Sequence, residues 1–254
     1  MDSQTDSSTR SFHYHFKLKS GQEKHFTLRM NHPSMEIIEE VPEKLPEWTA
    51  LGHYQCDNCP LKSEEHPACP IAARMVRLAD EFADLPSTEI ADITISNEDR
   101  QYHKEAPIQY GVRSMLGVVM VTSGCPVMDK LRPMVYTHLP FPTMHETLYR
   151  AMAMYLVAQF LKFKRGEEPD WELNDLVHIY DDIAKVNQAF GERLASIHCE
   201  DTSLNALANL DCHGNYTAMS INENYLVELE ELFHPYFENR TRNEQPEREP
   251  EMVY

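Results

Sequence analysis

An α+β fold is what this sequence predicts, on three observations: a strictly alternating start, long segments of helical spacing from about residue 70 onward, and no internal repeat. The expected architecture is a small antiparallel sheet, built from an N-terminal β-hairpin and a strand near 91–95, packed on a mainly α-helical domain.

The hairpin comes first. In "SFHYHFKLKSGQEKHFTLRM", Phe12, Tyr14, Phe16 and Leu18 alternate with polar residues, and Phe26, Leu28 and Met30 do the same after the Ser20–Gln22 turn. One face is therefore apolar. His13, His15 and His25 fall on the other face, where a metal site is conceivable, but exposed strand residues are the favoured reading because no carboxylate or thiol accompanies them in the pattern. Residues 32–50, punctuated by Pro33, Pro42 and Pro46, form a connection with a short strand expected at Met35–Ile38. Residues 71–85 show helical spacing closed by Pro86, and "EIADITIS" at 89–96 supplies the third strand. Residues 108–124 are apolar nearly all round and long enough for a buried helix, while their β-branched run leaves a strand open.

From Thr143 the pattern is helical. Thr143 and Glu146 form a capping box, and Lys162, Lys164, Arg165 and Gly166 close a long apolar helix expected to be buried. A second long helix starts at Asp170, and the short "GEEPD" link predicts an antiparallel pair. Shorter helices are expected at 201–212, stopped by Gly214, and at 222–237. The boundaries that follow are a disordered N-terminus at 1–10, a β-hairpin subdomain with its connection at 11–50, a Cys-loop and helical domain at 51–238 forming one fold with the hairpin, and a disordered tail at 239–254.

Charge narrows the partners. The formal net charge is −18, distributed as +2 over residues 1–30 and −20 over the rest. Such a surface repels nucleic-acid backbones. The start lacks a signal-peptide apolar core and no long uncharged apolar run suggests a membrane span, so the expected setting is cytoplasmic and reducing. There, six cysteines read as ligands, redox thiols or small core residues before they read as disulfides.

Four of them form a pattern. Cys56 and Cys59 make a CxxC pair, Cys69 follows after nine residues and Cys125 after fifty-five more. Cys69 and Cys125 each precede proline and a helical stretch, which predicts Cys at the N-cap and Pro at N1. A helix N-terminus favours thiolate over thiol. Two such ends beside a CxxC turn predict a four-thiolate metal site: a 4Fe-4S cluster by slight preference, because single remote cysteines and Cys-Pro ligands suit it, or zinc. His66 is a candidate substitute ligand, and His53 a weaker one. Cys199 and Cys212 flank a helical stretch of roughly 18 Å, too long for a shared ion or a disulfide, and read as independent thiols.

Other candidates are thinner. "YTHLPFPTMHETLYR" places His138, His145 and Arg150 around a proline-rich loop that could hold an acid–base or anion-binding group. Asp175, His178 and Asp182 share a stripe but face away from the apolar side, and Asn187 on the apolar side predicts an amide bonded to a neighbouring helix. No nucleophile elbow, phosphate loop, dinucleotide fingerprint or HExxH occurs. The functional expectation is a cytoplasmic metal-thiolate protein, iron–sulfur or zinc, whose centre orders the fold and supports binding or sensing of a protein or small molecule. The alternative is a redox or electron-transfer enzyme using the cluster or reactive thiols, and a third reading is a hydrolase or oxygenase using the His loop. The residues name neither a reaction nor a substrate.

Overall fold

Alternation along residues 9–31 produces the first two strands of a four-stranded antiparallel sheet. β1 (Thr9–Leu18) pairs with β2 (Glu23–Asn31) from Thr9↔Asn31 to Lys17↔Glu23, around a turn where Gly21 takes φ +88°. β3 (Ile90–Ser96) lies antiparallel on the other side of β1, and β4 (Gln101–Pro107) completes the order β2-β1-β3-β4. The computed structural model describes residues 8–38, 41–197, 201–222 and 226–238.

β4 is the strand that sequence reading does not supply. Only Ala106 of its seven residues is buried, so an edge strand carrying His103, Lys104 and Glu105 shows no apolar alternation. Two other expectations change here. Thr9 and Arg10, read as part of a disordered start, belong to β1, and residues 1–7 lie outside the described residues. The strand expected at Met35–Ile38 is reduced to one bridge, Met30↔Ile37.

The apolar side of the sheet is covered by α1 (Pro70–Glu81) and α2 (Ile108–Thr122). Phe82, just past α1, stacks on Phe26 and meets Phe16 edge-on. α2 is buried nearly all round because it lies between the sheet and the helical layer, touching β1, β3 and β4 on one side and α5 (Thr202–Asn222) on the other. Close approach needs a residue without a side chain. A Cβ at Gly111 would run into the Phe16 ring and stand 2.9 Å from Ile93 Cγ2. Gly111→Ala is therefore expected to lower stability by about 1–3 kcal/mol, read as a drop in the urea midpoint at unchanged slope.

The helical layer departs from expectation at three points. α3 (Met144–Lys164) and α4 (Asn174–Ala195) do not form a closely packed antiparallel pair; each packs on α5 instead. α5 itself runs eight residues past Gly214, a position filled by Tyr180 of α4, whose Cδ1 would be 3.3 Å from a Cβ there. This glycine serves helix contact, not a stop. Finally, α3 buries only Leu148, Ala151, Tyr155 and Gln159, leaving Val157, Phe160 and Phe163 exposed, so it is not the buried helix its composition suggests. α6 (Val227–Glu238) follows, and the tail 239–254 lies outside the described residues. Among the described residues, no helix is long and apolar enough to cross a membrane.

Candidate metal centre

The Cys loop leaves the hairpin connection and returns to it. Its neck is closed by an Ala50↔Ala68 bridge and by Leu51 and Cys69, whose N–H groups donate to Pro67 and Thr49 carbonyls at 3.0 and 2.8 Å. Inside the loop, Cys59 N–H donates to Cys56 O at 3.0 Å, the tight turn that a CxxC pair needs to turn both sulfurs one way. Between them Asn58 reaches out to α4, its Nδ2 donating to the Asp182 carbonyl at 3.0 Å. Asp182, seen in the sequence as part of a charged stripe, thus clasps the loop. Its stripe mates His178 and Asp175 are exposed, with His178 3.9 Å from Asp181.

Cys69 is buried at the N-cap of α1 with Pro70 at N1, in extended backbone at φ −65° and ψ 124°. Cys125 differs from expectation. It follows Gly124, at φ +91°, and stands two residues before Val127, the N-cap of a 3-10 segment, Met128–Thr137. It is not itself the cap, yet the Val127 and Met128 N–H groups still hydrogen-bond its sulfur and oppose the upward push of burial on its pKa.

The four thiols lie close enough to act on one another. Burial, then the neighbouring Cys69, Cys125 and Cys59, push the Cys56 thiol up to about 12. Cys56 is thereby held in its thiol form; a metal ion reverses that balance by binding the ionised form. Cys69 and Cys125 are buried, while Cys56 and Cys59 are half-buried and form the outer edge. Spacing is informative. Tetrahedral zinc with bonds of about 2.3 Å holds its sulfurs about 3.8 Å apart; among the described residues no three of these sulfurs fall within 4.8 Å of one another, so the four are not gathered as one zinc ion requires.

Arg193 of α4 is the residue that sequence reading misses. It is 2 % exposed, and its guanidinium donates to Trp48 O at 2.6 Å, Ala50 O at 2.8 Å and Leu51 O at 3.3 Å. Those carbonyls form the loop neck, so one side chain from residue 193 holds the loop shut. Among the described residues no carboxylate pairs with it; burial lowers its pKa, and Cys69, Cys56 and Cys59 are the groups that in ionised form would favour its protonated state. A fully buried cation facing only thiols is costly unless those thiols ionise.

Other candidates separate. His66 is exposed on the loop, and His53 bonds Ser196 Oγ at 2.9 Å. Cys212 is exposed within α5, and Cys199 lies outside the described residues. His15 and His25, read as isolated, are joined by Glu23: the rings stack at 4.2 Å and Glu23 Oε2 is 3.0 Å from His15 Nε2 and 3.6 Å from His25 Nε2. Cross-strand pairing makes that group, since Glu23 sits beside the turn and the two histidines face each other in register.

The proline-rich loop is split. His145 faces Tyr216, whose OH is 2.8 Å from its Nε2. His138 turns inward instead, its Nε2 3.1 Å from Tyr14 Oη and 3.2 Å from Ser114 Oγ, lining the same cavity as Arg150, Arg113 and His213. Burial, then Arg150, pushes His138 down to about 3; burial, then Arg113, pushes His213 to about 4. Both rings are neutral at pH 7. As pH falls below their ordinary 6.5, the unfolded chain takes up protons that the folded chain refuses until about 3 and 4, so their contribution lowers stability across that window and is flat above it. Urea midpoints should fall between about pH 6.5 and about pH 4.5, and His138→Asn should make the fall shallower.

The chain belongs to the family described as a domain of unknown function, DUF6901, which matches residues 12–234 and so takes in the sheet, the Cys loop and the helical layer together. No curated protein and no solved structure matches it.

Proposed function

We propose that this protein carries a four-cysteine metal-thiolate centre at Cys56, Cys59, Cys69 and Cys125, which fastens the Cys loop to the helical layer and supports sensing or partner binding in a reducing, cytoplasmic setting. The observation that carries this reading is Arg193: a buried guanidinium, bonded only to carbonyls, beside a group of thiols. Four neutral thiols leave it without a counter-charge, while a centre of four thiolates and a metal is net anionic and supplies one. The cluster is preferred to zinc because single remote cysteines and Cys-Pro ligands suit it.

An electron-transfer role is the second reading. It is favoured by the half-buried edge formed by Cys56 and Cys59, through which a cluster could exchange electrons with a partner. Anaerobic purification with elemental analysis and a visible spectrum tests both. Four iron atoms per chain with a broad band near about 400 nm that bleaches with dithionite support the cluster. One colourless zinc keeps the centre and removes the electron-transfer reading. Metal-free protein with all its thiols freely titratable in the native state overturns the proposal.

A further inference from the structure

A second site lies behind the 3-10 segment, in a cavity of about 130 Å³ bounded by α2, α3, α4, α5 and the segment itself. Most of its wall is apolar, with Val118, Val121, Leu131 and Ile183 among the lining side chains. An engineered apolar cavity of about 150 Å³ takes up benzene, so a body of about six carbons is the appropriate scale here.

Set into that wall are two guanidiniums. Arg113 is 6 % exposed and Arg150 reaches in from the second turn of α3. Arg113 bonds His213 Nε2 at 2.8 Å, with longer contacts to Asn209 Oδ1 at 3.5 Å and Pro142 O at 3.4 Å; Arg150 Nη2 donates to Met134 O at 2.9 Å. Among the described residues neither pairs with a carboxylate. Glu146, one turn before Arg150, directs its carboxylate at Thr143 N and Oγ1 at 2.7 and 3.0 Å. The two histidines are neutral and offset none of this charge.

Among the described residues, two buried polar atoms on the same wall have no hydrogen-bond partner. One is Arg150 Nε, a donor; the other is Oδ1 of Asn187, a residue 5 % exposed whose Nδ2 donates to Asp211 at 2.9 Å. Buried polar groups are almost always satisfied, so such pairs of atoms mark what a ligand supplies. The donor asks for an anionic acceptor, and the amide oxygen asks for an O–H or N–H. Paired guanidiniums hold phosphate as well as carboxylate; the small size and large apolar share of this wall suit a carboxylate with a compact carbon body.

We infer that the cavity binds a small organic carboxylate with a ring-sized apolar body and a hydrogen-bond donor, its carboxylate held by Arg150 and Arg113 and its donor by Asn187. The site is independent of the metal centre, and its test does not require the metal's identity. Binding of benzoate to the full chain is measured by calorimetry and thermal shift, beside benzamide, its uncharged counterpart, benzylamine, the hydroxybenzoates and inorganic phosphate. Benzoate is expected to bind saturably and at least about tenfold more tightly than benzamide, benzylamine not at all, and one hydroxybenzoate more tightly than benzoate. Arg150→Gln should remove the preference for benzoate over benzamide. Gly117→Ala should weaken every ring compound, because Gly117 lines the cavity and the added methyl meets only Leu210 Cδ1, at 3.6 Å, so folding is kept. Equal binding of benzoate and benzamide, displacement of benzoate by inorganic phosphate at similar concentration, or no saturable binding in either the wild type or the Gly117→Ala chain overturns the inference.

Discussion

Cys69→Ser is expected to yield a chain that retains no metal and melts far below the wild type. The substitution isolates the sulfur. Cys69 is the N-cap of α1, makes no side-chain cap hydrogen bond and precedes Pro70, and serine is among the preferred N-cap residues, so helix capping alone predicts a neutral change or a gain of about 1 kcal/mol. The backbone bond from Cys69 N–H to Thr49 O does not depend on the side chain. Against that small gain stands the metal, whose binding in structural sites contributes about 10–16 kcal/mol in apparent free energy, much of it as folding energy. The two accounts of Cys69 therefore predict opposite signs. Melting curves and metal content of the wild type and Cys69→Ser, purified side by side, decide; a serine variant as stable as the wild type would falsify the metal centre.

Arg193→Met carries the second large effect, and it depends on whether the centre is loaded. Methionine keeps most of the apolar contact but returns three neck carbonyls, of Trp48, Ala50 and Leu51, to an unpaired state. In the loaded protein it also removes the cation beside the thiolates, and breaking a buried charge pair by deleting one partner costs about 3–5 kcal/mol. In protein stripped of metal the thiols are neutral and the loss is expected to be smaller, because deleting a buried cation without a counter-charge offsets part of the cost. If the centre is a cluster, losing a nearby positive charge also makes its reduction potential more negative. Denaturation of loaded and stripped forms of both chains gives the comparison, and an identical loss in the two forms would remove Arg193 from any electrostatic role.

Much of the architecture could be read from residue patterns whose cause is local. Phe12, Tyr14 and Phe16 alternate because a strand has two sides, and Thr143 with Glu146 marks a helix start because their capping box is made within four residues. The Cys69–Pro70 cap was legible for the same reason. What the pattern could not carry is interaction between distant segments. Nothing near Arg193 announces that its guanidinium closes a loop neck about 140 residues earlier, and Gly214 looks like a helix stop until Tyr180 is placed against it. β4 escaped because an edge strand needs no apolar alternation, and Glu23 was separated from His15 and His25 because cross-strand neighbours are made by register. His138 and Arg150 were singled out together from one loop, but their cavity partners Arg113, Asn187 and His213 come from three other helices.

Sheet order has a further consequence for the Cys loop. β1 and β3 are paired side by side from His13↔Ser96 to Leu18↔Ala91, although the hairpin connection, the loop and α1 all lie between them in the chain. The exposed stretch Lys62–His66 is thus spliced into a crossing whose two ends are already hydrogen-bonded to each other. A single protease nick there leaves two fragments that stay associated through the sheet, migrate as one species under native conditions and part only when denatured. The chain can be cut at its most chemically loaded loop without being divided.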